Sequence, residues 1–130
     1  MLKQTQSKFD SNWLNAEKAD KYLRRLHSLM KSQKPYLDSR LTLTDLATMI
    51  DLPPQYLSQL FNEYIKENYF DYITKWRIEE AERLLKRGDK DMNIDDVGRE
   101  AGFNSPASFN SAFIKFRGMG PGEFREKSGK

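Results

Sequence analysis

The sequence contains no cysteine and only one histidine, His27. The first absence excludes disulfides and thiolate chemistry and agrees with a reducing compartment. The second leaves little for general acid–base work, and His27 sits inside an amphipathic run where a surface or boundary role is the plain reading. No HExxH, GxSxG or Walker-type lysine loop occurs. The acidic pairs Glu79-Glu80 and Asp95-Asp96 read as solvated helix charges, the second following a good N-cap. No stretch approaches the roughly eighteen consecutive apolar residues of a membrane span. The opening MLKQTQSKFDSNW lacks the apolar core of a signal peptide. These absences set the first expectations: no enzyme, no metal, no cofactor, and a cytoplasmic location.

What is present fits one compact domain or two small ones. The chain has 130 residues, of which 38% are hydrophobic and 32% charged. A net charge of +3 permits a nucleic-acid partner without demanding one. With 19 acidic residues, any surface facing phosphate must keep its acids elsewhere.

The apolar spacing predicts an all-α chain. Residues 1–14 are polar, without a period, and are expected to be loose. From Ala16 to Ser32 the apolar residues recur in steps of three and four, at Ala19, Tyr22, Leu23, Leu26, Leu29 and Met30. Pro35 ends that helix. A short helix is predicted from Thr44 to Ile50, capped by Thr42 or Thr44. After the Asp51-Leu52-Pro53 turn, Pro54 opens a helix that ends near Lys66. A long helix follows from Tyr69 to Lys86, with Gly88 suited to its left-handed cap. Asn93 caps a helix to Ala101, and Gly102-Phe103-Asn104 turns the chain. Ser105 and Pro106 start a helix ending at Arg117-Gly118, and Pro121 opens a last short one.

An internal repeat organises these elements. Leu43, Leu46, Ala47, Asp51-Leu52, Leu57, Leu60 and Phe61 recur as Ile94, Val97, Gly98, Gly102-Phe103, Phe109, Ala112 and Phe113, with the second turn one residue longer. Two short helices joined by a tight turn cross steeply. The first must be small at the crossing, as Ala47 and Gly98 are. The turn needs a positive φ, which Gly102 adopts freely and Asp51 at some cost. Each half is therefore expected to be a helix-turn-helix unit whose second helix leaves one face open to a major groove.

At these residues the chain resembles the DNA-binding domain of AraC/XylS-type bacterial transcription regulators. The resemblance runs from about Leu41 to Lys127, through LTLTDLA, YLSQLF, FDYITKWRIEEAERLL and IDDVGREAGFNSPASFNSAFIKFRGMGPGEFR. It implies an N-terminal extension and helix (1–35) linked to an absent sensor, a first helix-turn-helix (36–68), a linker helix (69–88), and a second helix-turn-helix with a C-terminal helix (89–130). It also implies sequence-specific binding to double-stranded DNA, with two recognition helices in successive major grooves about 34 Å apart. RNA polymerase and a sensor domain, which could tether the full-length protein to a membrane, are the further partners it implies. The isolated domain is expected to be monomeric. A helical protein-interaction module is the alternative.

By motif position the base-reading residues are Gln55, Ser58, Gln59 and Asn62 on the first recognition helix, beside Pro54. On the second they are Ala107, Ser108, Asn110 and Ser111. Gln and Asn can pair with both edge groups of adenine, and Ala107 can meet a thymine methyl. Neither face carries an arginine at a reading position, so guanine-rich targets are not expected. Phosphate contacts are assigned to Thr42, Thr44 and Asn93 at helix starts, and to Lys75, Arg77, Lys115 and Arg117. Arg77 has a second reading, a buried pair with an acid. The chain departs from the family pattern at Asp51, Pro53, Gly98 and Gly120, and Glu63 and Glu67 bring negative charge to the first recognition helix. Base reading is therefore expected from the second unit more than from the first.

Overall fold

A computed structural model describes residues 12–87 and 92–129. Among the described residues there are helices and turns but no strand. The helices are α1 (Ala16–Gln33), α2 (Leu43–Met49), α3 (Pro54–Gln59), α4 (Tyr69–Lys86), α5 (Ile94–Glu100), α6 (Pro106–Arg117) and α7 (Pro121–Ser128). A 3₁₀ turn covers Pro35–Leu37, and α3 continues through a widened, π-helical turn over Leu60–Ile65. The cap expected at Gly88 lies outside the described residues. Contacts divide the chain into two units, one holding residues 1–35 and 41–69, the other 36–40 and 70–130.

In the first unit, Asn15 starts α1 by accepting the Lys18 N–H at 2.9 Å. The helix buries Ala19, Tyr22, Leu26 and Met30, the stripe that its period predicts. The expectation of a loose start fails for Trp13 and Leu14. Leu14 is 5% exposed, and the Trp13 ring lies 4.5 Å from that of Tyr56. Their apolar surface gains more from burial than the local sequence period reveals. The Arg25 guanidinium donates to the Ile50 carbonyl at 3.0 Å, satisfying the end of α2. This helix is thus part of the first unit's packing.

The start of α2 is a capping box. Thr42 accepts the Asp45 N–H, and the Asp45 carboxylate accepts the Thr42 N–H, both at 3.1 Å. Asp51 then takes φ +60°, and Leu52 N–H returns to the Ala47 carbonyl at 2.9 Å. The second unit repeats this turn. Gly102 takes φ +103°, and Phe103 N–H returns to the Gly98 carbonyl at 3.0 Å. The sequence repeat is therefore a repeat of backbone hydrogen bonding, with Leu52 and Phe103 each buried behind the turn.

The second unit is built on α4, which buries Ile78, Ala81, Leu84 and Leu85 against Val97, Phe103, Phe109 and Phe113. Phe113 sits edge-on to Phe109 and to Phe124 of α7, at ring distances of 5.8 and 5.3 Å. Asn93 caps α5 by accepting the Asp96 N–H at 2.8 Å. Ser105 caps α6 by accepting the Ser108 N–H at 3.1 Å, with Pro106 next to it. Gly118 closes α6 at φ +78°.

Residues 36–40, assigned to the first helix-turn-helix from sequence, pack within the second unit instead. Arg77 of α4 holds them, its Nε donating to the Tyr36 carbonyl at 2.7 Å and its Nη2 to the Asp38 carbonyl at 3.0 Å. The Tyr36 ring stacks on Trp76 at 5.7 Å. A Cβ at Gly102 would stand 2.2 Å from the Tyr36 carbonyl oxygen, so Gly102 is required by close approach as well as by φ.

Candidate nucleic-acid interface

Helix α6 has two faces. Phe109 and Phe113 are fully buried, while Ala107, Ser108, Asn110 and Ser111 are exposed. At about 100° per residue, Ala107 and Ser111 lie opposite the phenylalanines, flanked by Asn110 on one side and Ser108 on the other. The helix cannot roll, because its inner face is pinned by aromatic packing and its start by the Ser105 cap. A rigid helix presenting short amide and hydroxyl groups can form directional hydrogen bonds at low entropic cost. The Ser108 hydroxyl already donates locally, to the Ser105 carbonyl at 3.0 Å.

The same face contains one large apolar side chain that the sequence reading missed. Ile114 is 47% exposed and seven residues beyond Ala107, hence on nearly the same line of the helix. The spacing was visible in the sequence. An isoleucine beside Phe113 and Phe116 is easily counted as core, and only the wheel position shows that it points the other way.

On the first recognition helix Gln55, Ser58 and Asn62 are exposed. Gln59 is not, and the expectation that it lies on the open face is corrected. It is 7% exposed, and its Nε2 donates to Glu63 Oε1 at 3.2 Å. That bond holds the side chain along the helix, where the widened turn begins. The local acid thus occupies an amide that the sequence pattern left for a base.

The basic candidates separate in the same way. Arg77 donates from Nε and Nη2 to the carbonyls of residues 36 and 38, so those two donors are turned to the protein's own backbone. Arg117 pairs with Glu82 of α4 and also donates to the Phe116 carbonyl at 3.1 Å. Lys115 stays 62% exposed, its Nζ 3.5 Å from Asp71. Lys75 is exposed on α4. Thr42, Thr44 and Asn93 are exposed at the helix starts. Their neighbours Asp45, and Asp95 with Asp96, place acids in those first turns, which weakens the attraction of those ends for phosphate.

Burial, with help from the carboxylates of Glu80 and Glu79, pushes the Tyr36 hydroxyl up to about 12. Glu80, 8% exposed, is bonded to Arg83, whose pKa is raised chiefly by that hydrogen bond. Among the described residues no cluster of three or more His, Asp or Glu side chains could hold a metal ion. None of the described helices is long and apolar enough to cross a membrane.

The pattern of a family described as a helix-turn-helix domain matches residues 46–127. The melibiose operon regulatory protein of Escherichia coli K12 is 35% identical over 91 residues, covering 70% of this chain and 30% of that protein. The chain spans about a third or less of the length of such curated relatives. Among solved structures, the C-terminal domain of AraT, a response regulator of Geobacillus stearothermophilus, superposes with a TM-score of 0.70 at 27% identity, covering 82% of this chain and 84% of that one. An AraC-type regulator from Chromobacterium violaceum gives 0.72 at 25% identity, covering 89% and 98%. The chain belongs to the AraC-type helix-turn-helix family of transcription regulators.

Proposed function

We propose that this chain binds double-stranded DNA sequence-specifically, as the output domain of a bacterial transcription regulator, and that it carries no catalysis. The observation that supports this most is α6. Its inner face is locked into an aromatic core and its outer face holds short, neutral, hydrogen-bonding side chains. That division of labour suits a helix inserted into a major groove. Membership of a family of transcription regulators points the same way.

On this reading Asn110 pairs with an adenine edge, Ala107 packs on a thymine methyl, and Ser111 and Ser108 adapt to either base pair. Lys115 supplies phosphate attraction near the end of α6. Gln55 and Ser58 on α3, and Asn62 in the widened turn that continues it, make the equivalent approach from the first unit, weakened by the acids Glu63 and Glu67. The two units read adjacent stretches of one duplex, so the site should contain two blocks about 10 base pairs apart.

Selection from random duplex DNA at moderate salt tests the proposal. Enrichment of one A·T-containing motif is expected. Recovery of no motif would refute sequence-specific binding and leave protein docking, the alternative function, as the better account.

A further inference from the structure

Ile114 stands on the reading face near the C-terminal end of α6, with no role assigned to it so far. It is 47% exposed, one of three large hydrophobic side chains left open among the described residues. Its face otherwise holds only small or polar groups: Ala107, Asn110 and Ser111. Single exposed apolar residues are common and need no explanation by themselves. Its place on this helix is what sets Ile114 apart. A purely solvated helix face would favour a straight-chain residue at this point, since a β-branched side chain lowers helix propensity. The position does not serve the core either, for it lies roughly opposite Phe109 and Phe116 and about 100° round the helix from Phe113.

We propose that Ile114 is a specificity-determining residue that reads the 5-methyl group of a thymine in the major groove. The inference rests on the DNA-binding reading and deepens it. The occupant follows from what surrounds the side chain. The thymine methyl is the one apolar group that the major-groove edge of a base pair offers. Ile114 is about 10 Å further along the helix than Ala107, so it meets a different base pair. The second unit would then demand a thymine at each end of the stripe, with Asn110 reading between them.

The test uses the intact chain and the duplex recovered by selection. Each thymine of the motif is replaced in turn by uracil, which lacks only the methyl. Wild type is expected to lose roughly fourfold in affinity at the thymine facing Ile114, the worth of one buried methyl. Ile114→Ala should bind the thymine and uracil duplexes alike at that one position, while Ile114→Val and Asn110→Ala keep the difference. Circular dichroism confirms that each variant is folded, as expected for an exposed site. A flat uracil scan, or a methyl effect that persists in Ile114→Ala, overturns the assignment while leaving DNA binding intact. Failure to bind any duplex overturns the underlying reading and this inference with it.

Discussion

Replacing Gly98 with alanine should destabilise the protein, against the ordinary expectation for a glycine inside a helix. Propensity alone favours the change by about 1 kcal/mol. The crossing of α5 and α6 opposes it. A Cβ at Gly98 would stand 2.5 Å from Cδ2 of Phe109, 2.7 Å from its Cγ and 2.9 Å from its Cβ. The ring cannot swing aside freely, because Phe103 and Phe113 pack against it at 5.2 and 5.8 Å. The Phe109 Cβ is fixed to the α6 backbone, so only separation of the two helices relieves that overlap. Overpacking of this kind costs about 1–3 kcal/mol, and two rigid contacts place it toward the upper end. The net prediction is a loss of about 1–2 kcal/mol. In urea unfolding followed by circular dichroism, that lowers the midpoint by roughly 0.5–1 M with an unchanged slope. The first unit supplies the comparison, because its repeat carries Ala47 and Leu57 where the second carries Gly98 and Phe109. A Gly98→Ala/Phe109→Leu double variant should accordingly be more stable than the sum of its singles, by about 1 kcal/mol or more. If Gly98→Ala alone is as stable as wild type or more so, the close crossing is not what selects glycine here.

Arg77→Met keeps the side-chain stem but removes the donors to residues 36 and 38. It should cost about 1–3 kcal/mol of stability and leave the salt dependence of DNA binding unchanged; a shallower salt dependence with unaltered stability would return Arg77 to the phosphate contacts. The fold holds the Tyr36 hydroxyl neutral, raising its pKa from 10.0 to about 12. Its contribution to stability is therefore complete below about pH 10 and is lost as pH rises toward about 12. Urea titrations across that window should show a steeper decline for wild type than for Tyr36→Phe, and parallel declines would contradict the assignment. Asn110→Ala should relax preference at particular base pairs, costing about 1–3 kcal/mol there, as read by repeating the selection. Lys115→Ala should weaken all sequences alike and lower the salt slope by about one; the opposite pattern would exchange the two roles.

Much of this fold could be read from spacing and punctuation. The Thr42, Asn93 and Ser105 caps, the positive φ at Asp51 and Gly102, and the small residues at both crossings are local demands of backbone geometry, and local sequence states them. Trp13 and Leu14 were not legible, because their burial comes from partners distant in sequence such as Tyr56. The same holds for residues 36–40, whose placement depends on Arg77 some forty positions later. On the interface, helical period identified the open face of α6. It failed at Gln59, which is buried and donates to Glu63. The basic residues were the least legible. Type and position mark Arg77 and Arg117 as phosphate ligands, and only three-dimensional neighbours show them spent on carbonyls and on Glu82. Ile114 had no assignment from sequence, and its exposure beside the buried Phe113 is visible only in the structure.

Specific recognition of duplex DNA is open to a decisive check by competition binding across salt. The intact chain would be titrated with the selected duplex and with a scrambled duplex of equal length, from about 50 to about 200 mM salt. Binding to both should weaken steeply as salt rises, because releasing counterions from the phosphates becomes less favourable, while the preference for the selected duplex persists, because base contacts release none. Equal affinity for the two duplexes, or an affinity indifferent to salt, would contradict the account.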